Sequence, residues 1–486
     1  MTHVRVPSER GRRAGAGSDP NGPGAGGTGR GATGRGGPGR GGTGRGGMVR
    51  SVGSTAIAKI IVMGLSGIIG IVNSRLIIQH FGTDAYAQYG LLAALPALLP
   101  FADLGIAAVV INAVAGSSSP ASDRTVRRTI VTAFRILLLS AAVIIAVGVV
   151  ISVLGWWPAI LGGGLMPDGG SLAAFLCLFT FAIVLPLTVG SRILVGLGRT
   201  STQVASQAVV APAMFLGLAT LVAVSAPAGS FLAVLSYIAN ALASLICLIM
   251  AARLIKPAVG KAIREVPFPR RYPGVPAIGV AWPMLVQMVA LPIAMQTDRL
   301  LLSHLTHGDE LAQYNLASQL FGLVLQTIAA AGVALWPIYA KARSEARIES
   351  PMKPTLWFLA GGLGIGLVLA ALSPLLTHFI AGGRFTLDPW LVGGFVVFVA
   401  LQAAKYPAGM YMTDKRGLTF QVWPILVSVP LNLGLSWWLI GVIGAGGPIV
   451  GSAISVLLCQ VIPNLWWVTR DLGRRRAEKP DGAEVG

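Results

Sequence analysis

The sequence predicts an all-α polytopic membrane protein of twelve transmembrane helices in two six-helix bundles, and three observations carry that prediction. Of 486 residues, 54% are hydrophobic and 11% charged, with a mean hydropathy of +0.73, which leaves too little polar side chain to cover a soluble surface. Apolar runs of about 20 residues, the length that spans a bilayer core, recur from residue 54 to residue 468. The Lys and Arg residues fall in alternate gaps between those runs, as they do when every second gap is cytoplasmic.

Residues 1–52 are of a different kind. They are rich in Gly and Arg, with Arg30, Arg35, Arg40, Arg45 and Arg50 repeating every five positions, and have too few apolar side chains to form a core. They read as a disordered cytoplasmic tail. Gly/Arg tails can bind RNA, but beside a first helix the favoured reading is an anchor to anionic membrane lipids, with no nucleic-acid partner. Met48 opens MVRSVGSTAIAK, an ordinary lead into a membrane helix, and is a candidate alternative start. The first apolar run is too long for a signal-peptide core and is expected to remain as an anchor.

Windows of about 19 residues place helices near 54–79, 87–114, 130–154, 171–191, 203–225 and 230–252, an N-terminal bundle within 53–257. A cytoplasmic linker over 258–275 follows. Helices near 276–304, 311–338, 355–379, 389–411, 419–441 and 447–468 make the C-terminal bundle over 276–468, and 469–486 form a second tail. Of the 37 Lys and Arg, 31 lie on one side and Arg384 alone in the opposite loops, so both termini are expected on the cytoplasmic side of a bacterial inner membrane. Trp156, Trp157, Trp437, Trp438, Trp466 and Trp467 fall at helix ends, where interfacial anchors belong. Cys177, Cys247 and Cys459 sit inside apolar segments without CxxC spacing and read as buried packing residues, not as a disulfide or zinc set.

The chain repeats itself. SRLIIQHFGTDAYAQYGLLAAL, from Ser74, aligns with DRLLLSHLTHGDELAQYNLASQL, from Asp298, once a residue is inserted in the loop. Arg75 then matches Arg299, His80 matches His304, and Ala87, Gln88 and Tyr89 match Ala312, Gln313 and Tyr314. Each copy joins the first two helices of a half, and because six is even the halves share one orientation about an axis along the membrane normal.

A charge at a helix centre costs about 2.5–3.5 kcal/mol on insertion scales, which makes the intramembrane charges Arg75, Asp103, Asp298, Arg299 and Lys405 candidates for function. Asp103 follows Pro96 and Pro100, whose missing donors loosen the backbone. Pro283 and Pro292 interrupt the seventh helix similarly, and its Gln287 and Asp298 share a face to within roughly 20 degrees. Asn315, Gln319 and Gln326 form a stripe on the eighth helix, and Gln402 stands one turn before Lys405. Plainer readings compete: interhelical hydrogen bonds for the amide stripe, and snorkelling for Arg75 and Arg299, each roughly 12 Å from its helix centre at about 1.5 Å per residue. His80 and His304 lie at the outer boundary, where an interfacial position suffices. Gly362, Gly364 and Gly366 read as close-packing residues of an apolar helix, not as a nucleotide loop.

The stretch SRLIIQHFGTDAYAQYGLLAALPALLPFADLGIAAVV resembles the opening of the polysaccharide-export flippases of the multidrug/oligosaccharidyl-lipid/polysaccharide exporter superfamily. The likeness rests on Arg75 and Leu76, Gly82, Tyr89 and Gly90, and Asp103 with Gly105. TDRLLLSHLTHGDELAQYNLASQL is similar to that family's seventh and eighth helices through Asp298, Tyr314 and Ala317, while Asn112 stands where a basic residue is expected. The resemblance implies a MATE-like fold that carries a polyprenyl-pyrophosphate-linked oligosaccharide from the cytoplasmic to the outer leaflet by alternating access. It implies a cavity drawn from Arg75, Asp103, Gln287, Asp298, Arg299, Asn315, Gln319, Gln326 and Lys405, with the three cations receiving pyrophosphate and Asp103 or Asp298 taking up a proton. Polysaccharide-biosynthesis proteins would be its partners; no cofactor and no metal is implied.

Two other classes are weighed. A cation-coupled drug or metabolite antiporter of the same superfamily needs acidic and aromatic cavity residues in place of basic ones. A membrane glycosyltransferase or polymerase needs large outer loops with a catalytic carboxylate or base, whereas the longest here, GWWPAILGGGLMPDGG, offers only Asp168. The sequence has no nucleophile–base pair, metal cluster or phosphate-binding loop and does not read as an enzyme.

Overall fold

Long apolar runs become helices, and the computed structural model describes them over residues 45–272 and 297–477, apart from 307, 334, 336, 337, 340, 341, 344, 346 and 414. The expected basic tail lies largely outside these residues. No strand occurs among the described residues. Helix α1 (Arg45–Phe81) contains the first expected span. The second span is not one helix. It divides into α2 (Thr83–Ala93), short turns at Leu95–Leu98 and Pro100–Asp103, and α3 (Ile106–Ala115). Pro96 and Pro100 carry no N–H for the helical ladder, and the chain turns through left-handed backbone at Leu104 (φ 47°) and Gly105 (φ 73°).

Helix α4 (Arg124–Val153) starts six residues earlier than the hydropathy window suggests, because Asp123 caps it. One carboxylate oxygen accepts from the Thr125 and Val126 amides at 2.7 and 3.4 Å, and Ser117 Oγ donates to the other at 2.7 Å. The Ser117 hydroxyl and then the Thr125 amide hold this carboxyl below the usual carboxylate range. The N-terminal half continues with α5 (Gly170–Gly196), α6 (Thr200–Ala223) and α7 (Gly229–Leu254). The linker contains a short helix, α8 (Ala258–Glu265). The C-terminal half contains a helical stretch at 297–305, then α9 (Gly308–Val333), α10 (Met352–Ala381), α11 (Pro389–Tyr411) and α12 (Lys415–Ile443). It ends with α13 (Gly447–Val456), a π-helical turn at Leu457–Val461, and α14 (Ile462–Ala477). Among the described residues, seven segments are long and apolar enough to cross a membrane.

Packing follows the halves. In the first, α4 and α7 both pack on α5; in the second, α11 packs against α9, α10 and α13. Gly362 makes the α10–α11 crossing close, since a Cβ there would lie 2.8 Å from Ala403 Cβ. Contact between halves is made chiefly by α2 against α9. Apolar side chains such as Val153, Trp357, Leu375 and Trp423 remain exposed on the outside of the helices, a surface suited to lipid and not to water. The three cysteines are buried and unpaired.

Two sequence expectations need correction. Trp157 is not an interfacial anchor: it is buried, and its Nε1 donates to Ser152 Oγ at 2.8 Å. Arg135, which lies inside an expected span and was not singled out, ties the linker down. Its guanidinium donates to the backbone oxygens of Glu265, Val266 and Tyr272 at 2.9, 3.0 and 2.7 Å, the first two being carbonyls left open at the end of α8.

Candidate functional site

Three helices meet around a cavity of about 630 Å³ between the halves. Helix α1 supplies Val62, Ser66, Gly67 and Gly70; α6 supplies Thr200, Gln203, Val204 and Gln207; α9 supplies Ser318, Gln319, Gly322, Leu323 and Gln326. Residues four apart on a helix share a face, which sets Gln203 with Gln207; the seven-residue step does the same for Gln319 and Gln326. Gln319 is held in one orientation. Its Oε1 accepts from Ser74 Oγ at 2.6 Å and Tyr86 Oη at 3.1 Å, so its Nε2 is turned to Gly70.

Away from the cavity the halves are closed against each other, on the side that the charge pattern assigns to the outside. Asn315 Nδ2 donates to Ala87 O at 3.2 Å, and Arg299 Nε donates to Asn315 Oδ1 at 2.8 Å. Ser303 Oγ bonds Leu161 O and accepts from Gly164 N at 2.9 Å. Arg384 donates to Ile78 O and Gln79 O at 2.5 and 3.0 Å. All but the Arg299–Asn315 bond, which orients the Asn315 amide from within its own half, join one half to the other. The cavity and this set of inter-half bonds therefore occupy different levels along α9.

His304 adds a contact between the halves. Its Nδ1 lies 2.8 Å from Leu300 O and its Nε2 3.1 Å from Ala159 O. His304→Ala, which removes the contact to Ala159, should raise the labelling of a cysteine placed at Gly163; unchanged labelling would count against a role for the imidazole in the seal.

Deeper in the second half, Asp298 is buried. Its Oδ2 accepts from Tyr314 Oη at 2.9 Å and Ser452 Oγ at 3.2 Å, while its Oδ1 has no partner among the described residues. Asn432 Nδ2 donates to Ser452 Oγ at 2.7 Å, and Ser436 lies 3.4 Å from Asn432 Oδ1. A buried polar network with one open oxygen differs from ordinary packing.

The residues predicted from sequence thus divide. Gln319 and Gln326 line the cavity, and Asn315, on the same stripe, belongs to the seal. Arg299 also belongs to the seal, and Arg75 stacks on the Phe379 ring at 4.2 Å. Neither lines the cavity. Asp103 caps the break after α2, accepting from Gly105 N at 2.9 Å, with Arg192 3.9 Å from its other oxygen. Lys405 Nζ donates to Gln460 Oε1 at 3.1 Å, inside the π-helical turn, away from the cavity lining. Gln287 lies outside the described residues. Missed altogether were Ser66, Thr200, Gln203, Gln207 and Ser318 in the cavity and Asn432, Ser436 and Ser452 around Asp298. The one usable signal was the four-residue spacing of Gln203 and Gln207.

Comparison with known proteins agrees with this architecture. A family profile described as "Polysaccharide biosynthesis protein" matches residues 48–343. The chain is 24% identical over 182 residues to a "Putative O-antigen export protein" of Yersinia pseudotuberculosis, covering 36% of this chain and 40% of that protein. That match therefore spans less than half of the relative. Among solved structures, the fold is similar to an inward-facing MATE family multidrug resistance transporter of the MOP superfamily (TM-score 0.59, 14% identity, 87% of this chain and 100% of that one). It is also similar to the lipid II flippase MurJ in an inward closed conformation (TM-score 0.61, 10% identity, 86% of this chain and 90% of that one). At such identities the likeness speaks for the fold, which is MATE-like as the sequence resemblance implied.

Proposed function

Because the chain belongs to the polysaccharide biosynthesis protein family, we propose that it exports a lipid-linked oligosaccharide, carrying it from the cytoplasmic to the outer leaflet of the inner membrane by alternating access. It acts as a carrier and not as an enzyme. The observation that carries this reading is the polar cavity between the halves, with inter-half hydrogen bonds closing the helix ends away from it. The polar sugars enter the cavity while the polyprenyl tail stays in lipid beside it. Both termini face the cytoplasm, and the two bundles rock about the α2–α9 contact. Moving an anionic pyrophosphate outward across an inside-negative potential gains about 2.3 kcal/mol per charge per 100 mV, so the potential assists export. Asp298, with one open oxygen, is the group that takes up a proton during the cycle; Asp103, engaged by Gly105 and facing Arg192, is the weaker choice.

The antiporter reading calls for a carboxylate to hold a lipophilic cation, and the cavity lining has none among the described residues. Depletion of the protein should trap lipid-linked saccharide on the inner leaflet, scored by its resistance to a glycan-cleaving enzyme added outside. A plasmid copy should restore export, and a Gln319→Leu copy should restore it about tenfold less, the effect of some 1.4 kcal/mol. Normal arrival at the outer leaflet in depleted cells would remove the proposal.

A further inference from the structure

We infer that the saccharide taken into the cavity is uncharged, a hydroxyl- and amide-bearing glycan without carboxylate, sulfate or phosphate substituents; this rests on the export reading above. The polar lining consists of amides and hydroxyls, with Gln203, Gln207, Gln319 and Gln326 as its largest members and Ser66 and Thr200 beside them. No Lys, Arg, His, Asp or Glu lines it among the described residues. Residues 273–296, outside the described part, contain no charged residue in the sequence either.

Three of the intramembrane cations are engaged elsewhere, and Lys59, on α1 seven residues before Ser66, stands two turns nearer the basic tail. Arg299 is bonded to Asn315 in the outer seal, Arg75 is stacked on Phe379, and Lys405 is bonded to Gln460. A carboxylate that gives up part of its water to enter the slot meets no counter-charge among the described lining residues, whereas a hydroxyl loses no charge solvation there. Hydrogen bonding points the same way. The amides of Gln203, Gln207 and Gln326 each offer an acceptor as well as two donors, and a sugar hydroxyl, itself donor and acceptor, satisfies both kinds; an ionised carboxylate only accepts and leaves those oxygens unmatched. A site built to pair hydroxyls penalises the ligand that cannot pair them. The lipid pyrophosphate is then handled at the rim of the cavity, where exposed Arg199 directly precedes Thr200.

The test uses the full-length protein in liposomes and two synthetic probes: a polyprenyl-diphosphate disaccharide of N-acetylhexosamine and hexose, and the same lipid with hexuronic acid as the second sugar. The neutral probe should cross at least about tenfold faster, as a difference of some 1.4 kcal/mol requires. Gln326→Lys, at an exposed lining position that tolerates change, should narrow that ratio by speeding the uronate. Equal rates for both probes in the wild type would overturn the inference while leaving the export reading intact. Movement of neither probe would overturn both.

Discussion

Asp298→Asn is expected to lower transport by at least about tenfold, some 1.4 kcal/mol of lost driving or barrier energy, while leaving the protein folded. The carboxylate is buried, two hydroxyls serve its Oδ2, and its Oδ1 is without a partner among the described residues. An anion held in that way is costly, and binding a proton removes the cost, so the group is suited to change its charge as access alternates. Asparagine keeps the shape and an acceptor for Tyr314 but fixes the charge at zero. Its unfolding temperature in detergent should therefore be equal to or above that of the wild type. Ser452→Ala removes one hydrogen bond to the charged form, a contribution of about 1.5–3 kcal/mol, and should shift the pH dependence of transport without abolishing it. Asp298→Asn transporting at the wild-type rate with the wild-type pH profile would remove Asp298 from the coupling step.

The parts of this architecture that could be read in the sequence are those written in long apolar runs. Helices α4, α10 and α11 stand close to where hydropathy places them because about 20 consecutive apolar residues have few other stable forms in lipid. The break after α2 was announced by Pro96 and Pro100. The site was less legible, for a physical reason. Sequence reasoning looks for charges in the membrane because they are expensive, and with the resemblance it points to Arg75, Arg299 and Lys405 as the flanks of one anion site. Each of those cations is instead satisfied locally, by a ring, an amide or a glutamine. The cavity was built from residues that cost little to insert, serines, threonines and glutamines, which look the same in a cavity wall as in an interhelical contact. Asn432, Ser436 and Ser452 were invisible for the same reason, and only their convergence on Asp298 singles them out.

Gly90→Ala is expected to damage both fold and transport, and the internal repeat says why. In the alignment of the two copies, Gly90 corresponds to Asn315, one residue after the matched tyrosines. The structure sets this equivalent pair against each other where α2 meets α9, as an axis relating the halves requires of residues beside it. A Cβ at Gly90 would lie 2.1 Å from Asn315 Cγ, so one copy can carry a side chain only because the other has none. Alanine would push the Asn315 amide away from Ala87 O and from Arg299 Nε. Overpacking costs about 1–3 kcal/mol, and leaving the buried amide unsatisfied costs about 1–3 kcal/mol more. The expected result is a clear fall in unfolding temperature together with a leaky outer seal, read as increased labelling of a cysteine at Gly163. Gly90→Ala combined with Asn315→Gly should regain much of the stability, because the clash is gone, but not the seal, because the bond from Asn315 to Ala87 O across the halves is lost. A double variant no better than the sum of its parts would mean that the two positions do not oppose each other. If Gly90→Ala alone changed neither measurement, the α2–α9 junction could not be the point about which the halves close.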